Sequence, residues 1–332
     1  MFLLVFDRTR RRLAGNHHRN QRSAPLVTAP AVGRPDTVGG FIPDFRDGTA
    51  MTDGPTASPT AQRNWTALVL GLALASFLSA AITAGTQHDN SPVIGATALG
   101  FGFAALAVVS RTAVPGLFDA LSAAWDEHRR ATWAATGLFA FGVLLGVGLL
   151  LAGVNLLDLL AELLQEGLAP ESGPGNGQGQ LELDLTASFF IQNNSVPFLL
   201  AIGGALSLGL LTAFIMVVNG IIVGNVGAAV GELVGIEFIV AGLVPHGIFE
   251  LPALFIAAGV GFRLVTRFGE RVLGSREAFL TRPYLARTAA LVGFAWLLLV
   301  LAAVVEAYVT PALLEMLFAE QVQQPGPVPT TP

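Results

Sequence analysis

The residues of this chain that could do chemistry lie in one apolar stretch, Asn193 to Arg263. Near its end stands the string Pro245-His246-Gly247-Ile248-Phe249-Glu250-Leu251-Pro252-Ala253. His246 and Glu250 are four residues apart, so on a helix they share a face. Asn193, Asn194, Asn219, Glu232 and Glu237 also punctuate the stretch. Polar groups in hydrocarbon are expensive, so something specific keeps them there. The first candidate is structural: Asn and Glu side chains that bond across helices and satisfy backbone freed by Pro252. The second is a substrate or proton path, the usual role of carboxylates buried in a membrane. A metal or hydrolytic site fits poorly. One His and one Glu are not the H-E-x-x-H arrangement, and no second His lies nearby. No catalytic residue, metal or cofactor is therefore expected.

The elements that must position these groups are membrane spans. The chain is 53% hydrophobic and only 12% charged, roughly half the charge of a soluble domain. Uninterrupted apolar windows of ~20 residues suffice to cross a bilayer. They fall at about 66–85, 92–110, 132–153, 190–218, 220–242, 246–263 and 288–308. The breaks near Asn219-Gly220 and Pro245-His246-Gly247 rest on turn and helix-start chemistry. A single crossing over 190–263, with 220–250 re-entrant, keeps the same parity; three crossings suit the length better. Residues 111–131 place Leu117, Phe118, Leu121 and Trp125 at helical spacing and most charges elsewhere, as an interfacial helix does. Residues 156–169 read as a second such helix. The fold class expected is all-α: a polytopic α-helical membrane protein of about seven transmembrane helices with two interfacial amphipathic helices.

Four regions follow. Residues 1–62 lack any hydrophobic period and read as a disordered cytoplasmic tail, with 1–50 a candidate start-site artefact ahead of Met51. Residues 63–110 form a two-helix membrane extension, 111–310 the main membrane domain, and 311–332 a disordered outer tail with a short turn at Leu313–Phe318. All eighteen basic residues are Arg. Arg63, Arg111, Arg129, Arg130 and the Arg263–Arg287 loop should stay cytoplasmic. The 154–189 loop carries six acids and no base and should face outward, as should the carboxyl end. The location expected is the cell membrane. Under this arrangement Asn193, Asn194, Glu237, His246 and Glu250 share one level near the outer surface, within ~10 Å of it. Glu232 lies deeper, and Asn219 lies at the inner end.

Composition also sets limits. There is no basic excess to suggest nucleic acid, and no Walker sequence. The chain has no Cys, which removes thiolate chemistry.

Asn193-Asn194, Asn219-Gly220, the Pro-His-Gly-x-x-Glu-Leu-Pro-Ala string and Gly259-x-Gly261-Phe262-Arg263 together resemble the stage II sporulation protein M family. The likeness covers about 130–310. It implies a polytopic membrane protein with a cytoplasmic amino end. In endospore formers it implies a scaffold for cell-wall hydrolases at the engulfing septal membrane. The two spans of 66–110 and the amino tail depart from the family pattern. The broken polar segment is also loosely similar to exporter permeases, a likeness of fold level only. The leading expectation is a non-enzymatic scaffold or assembly partner, with the lipid bilayer and membrane or envelope proteins as partners. The alternative is a permease-like exporter subunit working with a separate ATPase.

Overall fold

The computed structural model describes residues 58–86, 90–159 and 185–323. The amino tail, most of the acidic loop and the last residues lie outside that range, and so do the expectations attached to them. Among the described residues the chain is helical, and seven helices are long and apolar enough to cross a membrane. It is an all-α polytopic membrane protein.

Helix α1 (Pro59–Thr86) and α2 (Ser91–Val109) form an antiparallel hairpin. Trp65 fixes α1 in the bundle. Its ring stacks 6.3 Å from Phe118 and meets Phe294 edge-on at 5.2 Å. Its indole N–H donates to Ser122 Oγ at 2.9 Å, the partner a buried Trp needs.

Helix α3 (Leu117–Leu151) differs from expectation. The amphipathic segment and the third span are one helix of 35 residues, ~52 Å long at 1.5 Å per residue. No Gly or Pro interrupts Leu117 to Thr136, so nothing breaks the helix at the membrane boundary.

The stretch that begins the polar segment does make three crossings. They are α4 (Ala187–Gly203, continued by a 3-10 turn Gly204–Ser207), α5 (Leu210–Val234) and α6 (Ile236–Val272). The breaks lie elsewhere than expected. Leu208 and Gly209 have φ of 55° and 85°, and Gly235 has φ of 94°. These left-handed residues mark the two reversals, and glycine adopts such backbone without strain. Asn219 and Gly220 remain helical: the Asn219 amide donates to Ile215 O one turn back at 2.8 Å. Pro245 and Pro252 sit inside α6 without ending it, as membrane helices allow when neighbours satisfy the freed carbonyls.

Helix α7 (Arg282–Val304) runs into a π-helical turn at Val305–Val309 and then α8 (Thr310–Gln323). Residues 311–323, expected as part of a disordered tail, are helical instead, and Phe318 packs on α6 against Phe238 at 5.4 Å. Helices α6 and α7 are antiparallel, touching at His246 and Glu306 toward one end and at Arg267 and Tyr284 toward the other. We call the second the arginine end.

The tightest contact is between α3 and α5. A Cβ added at Gly142 would strike Val217 O; at Gly146, Ile221 O; at Gly220, Phe139 O; at Gly224, Val143 O. The two backbones touch directly, the close approach that small residues permit between membrane helices.

Candidate functional site

Helix α6 carries His246 and Glu250 one turn apart, and both turn toward α7. The π-turn of α7 presents Glu306 to them. His246 Nε2 lies 4.0 Å from Glu306 Oε1. One ligand atom from each of His246, Glu250 and Glu306 lies within 4.8 Å of the other two. His246 is 8% exposed. Its Nδ1 and Glu306 Oε2 are buried with no hydrogen-bond partner. The three side chains together offer one imidazole nitrogen and two carboxylate oxygens. Such a set can hold a cation or pass a proton.

The other expected members are elsewhere. Glu237 is exposed at the first turn of α6, beside Gly235. It is nine residues from His246 along one helix, ~13 Å away. Glu232 is exposed near the end of α5. Asn219 bonds its own helix, as described. Asn193 is exposed and Asn194 half-buried on α4, with the Asn193 amide donating to Asn194 Oδ1 at 3.4 Å. The structure therefore keeps His246 and Glu250 together and replaces the expected Glu237 with Glu306. A lone acid in the apolar run Leu297–Val305 to Ala307 was the signal for Glu306.

Two further constellations were not expected. Asn225, fully buried on α5, donates to Gly146 O at 3.0 Å and Val154 O at 2.8 Å, and accepts from Leu156 N at 2.7 Å. It fastens the end of α3. At the arginine end, Glu127 Oε1 accepts from Arg267 Nη1 at 2.5 Å and Arg263 Nη2 at 3.3 Å. Arg263 also donates to Glu270 at 2.7 Å, and Arg276 donates to the other Glu270 oxygen at 2.8 Å. Arg267 lies 3.7 Å over the Tyr284 ring, and the Tyr284 hydroxyl is 3.4 Å from His128 Nε2.

The profile of the Stage II sporulation protein M family matches residues 135–311, just over half of the 332 residues. This chain belongs to the stage II sporulation protein M family. The match contains His246, Glu250, Glu306 and Asn225, and leaves α1 and α2 outside. An uncharacterized protein of Methanocaldococcus jannaschii is 31% identical over 127 residues, which are 37% of this chain and 70% of that protein. No solved structure matches.

Proposed function

We propose that this member of the stage II sporulation protein M family is a non-enzymatic membrane scaffold or assembly partner. In this reading it lies in the cell membrane with its amino end cytoplasmic and its carboxyl end outside. The observation that carries it is the backbone-to-backbone contact of α3 and α5 through Gly142, Gly146, Gly220 and Gly224. Contacts this close suit a fixed platform, because packed cores deform little without switching to a second arrangement. The ion pairs of Arg263 and Arg267 with Glu127 at the arginine end brace α3 against α6 as well. Orientation follows the arginines: Arg263 and Arg267 pair with Glu127 in the first part of α3, the helix that Arg111 precedes, and such residues stay cytoplasmic.

One observation favours the permease-like alternative. Glu250 and Glu306 are carboxylates held inside a membrane bundle, where acids often mark a path. Purification of the full chain from its own membranes in mild detergent separates the two. The scaffold reading expects a stoichiometric envelope- or wall-acting partner. A stoichiometric nucleotide-binding subunit, with ATP hydrolysis that depends on this chain, would replace that reading with the permease.

A further inference from the structure

We propose that His246, Glu250 and Glu306 form a binding site for a divalent first-row transition-metal ion, which ties α6 to the π-turn of α7. This goes beyond the scaffold reading and does not depend on it.

Three observations converge. The first is unmet bonding. His246 is more than nine-tenths buried, yet its ring makes no hydrogen bond. Nδ1 has no partner, and Nε2 is 4.0 Å from Glu306, beyond hydrogen-bond reach. Glu306 Oε2 is likewise buried and unpartnered. Groups left so are costly, and one cation between them would satisfy the imidazole and both carboxylates at once. An ion pair between His246 and Glu306 alone would leave Glu250 with no partner beside another carboxylate.

The second is geometry. A tetrahedral ion with bonds of about 2.1 Å holds its donors about 3.4 Å apart. The three ligand atoms already lie within 4.8 Å of one another. Small side-chain rotations close the remainder. The donors come from helices on both sides, so the ion would bridge elements rather than decorate one.

The third is the π-turn itself. Val305–Val309 departs from α geometry where Glu306 sits. Such turns are rare and frequently occur at functional sites. Here the extra residue sets the direction from which Glu306 meets α6.

The donor set also selects the ion. Calcium and magnesium prefer oxygen ligands throughout, whereas imidazole with carboxylates suits zinc, manganese, iron or cobalt. Three protein donors leave a coordination position for water.

The test uses the full chain in detergent, stripped with EDTA and titrated with Co²⁺. Cobalt in a nitrogen–oxygen site gives a visible d–d absorption band. The expected result is one saturable band per chain that Zn²⁺ displaces. Glu250→Gln and Glu306→Gln preserve side-chain volume and should each weaken binding about tenfold or more, since even outer partners of a metal site matter by that factor. His246→Ala should do the same. Glu237→Gln, exposed and outside the cluster, should leave the titration unchanged. If His246→Ala fails to fold, the two Gln variants decide. Absence of a saturable band in the wild-type chain would overturn the proposal, as would unaltered Co²⁺ binding in both Gln variants.

Discussion

Glu127 and Arg267 make the shortest ion pair among the described residues, Oε1 accepting from Nη1 at 2.5 Å. Glu127 comes from the charged part of α3 and Arg267 from the last third of α6. The pair explains why the amphipathic start of α3 stays in the bundle instead of lying flat on the membrane surface. Its polar side faces a buried arginine. Arg267 also donates from Nε to Phe279 O at 3.1 Å, so the loop between α6 and α7 is held by the same guanidinium.

Removing Glu127 should therefore cost more than removing an exposed charge. Glu127→Ala leaves Arg267, 2% exposed, without its carboxylate. Breaking a buried pair from one side typically costs about 3–5 kcal/mol. The thermal midpoint of the detergent-solubilised chain should fall sharply. Arg129 is the control, since its pair with Asp126 is exposed at 3.6 Å, and Arg129→Ala should change stability by roughly 0–1 kcal/mol. Equal midpoints for the two variants would show that Glu127 is not a structural anchor. Arg267→Lys should resemble Glu127→Ala, because lysine keeps the charge but loses the planar fork that stacks on Tyr284.

The glycines of α3 divide into two classes with opposite expected signs. Gly146→Ala would drive its Cβ into the α5 backbone at Ile221, and Gly142→Ala into Val217. A backbone cannot step aside as a flexible side chain can, so both should destabilise strongly. Gly137 and Gly148 have open space around the same position. Alanine there should be neutral or stabilising by about 0.5–1 kcal/mol, through better helix propensity. Membrane abundance and unfolding midpoints of the four single variants check the pattern. A Gly146→Ala protein as stable as Gly148→Ala would mean that α3 and α5 do not touch as described.

Most of the fold was legible in the sequence because a span is a local property. Length and apolarity locate each of the seven helices without knowledge of its neighbours. The turns were less legible. Asn219-Gly220 is strong turn chemistry in water, but in a membrane helix the amide bonds back to Ile215 O and the glycine serves contact with α3. The actual reversals use Gly209 and Gly235, which nothing local sets apart from the many other glycines. The site was half legible. His246 and Glu250 are four apart on one helix, a spacing any sequence shows. Glu306 joins them only through the packing of α7, and Glu237, near in sequence, is carried away along the helix axis.

Orientation is tested by cysteines introduced into this Cys-free chain. Glu277 is exposed in the loop at the arginine end, and Glu237 is exposed at the first turn of α6, at the other end. With the arginine end cytoplasmic, Glu237→Cys should react with an impermeant thiol reagent in intact cells. Glu277→Cys should react only after lysis. The reverse pattern would invert the proposed topology and place the His246 cluster toward the cytoplasm.

Asn225 offers the finest test, because its bonds can be removed separately. Its amide nitrogen donates to Gly146 O and Val154 O, and its oxygen accepts from Leu156 N. All three partners are backbone groups: Gly146 O lies in the last two turns of α3, and Val154 O and Leu156 N lie just beyond its end. Asn225→Leu removes every bond and leaves Val154 O and Leu156 N, both outside the helix ladder, without their partner at about 1–3 kcal/mol apiece. Asn225→Asp keeps the acceptor for Leu156 N but turns its second oxygen toward two carbonyls. Both variants should lower stability. They should differ in amide exchange: Leu156 N–H should lose protection in Asn225→Leu and retain more of it in Asn225→Asp. Hydrogen–deuterium exchange over 152–159 reads this directly. Equal exchange in wild type and Asn225→Leu would show that the Leu156 amide is held by something other than Asn225, and the fastening of α3 to α5 would then rest on the glycine contact alone.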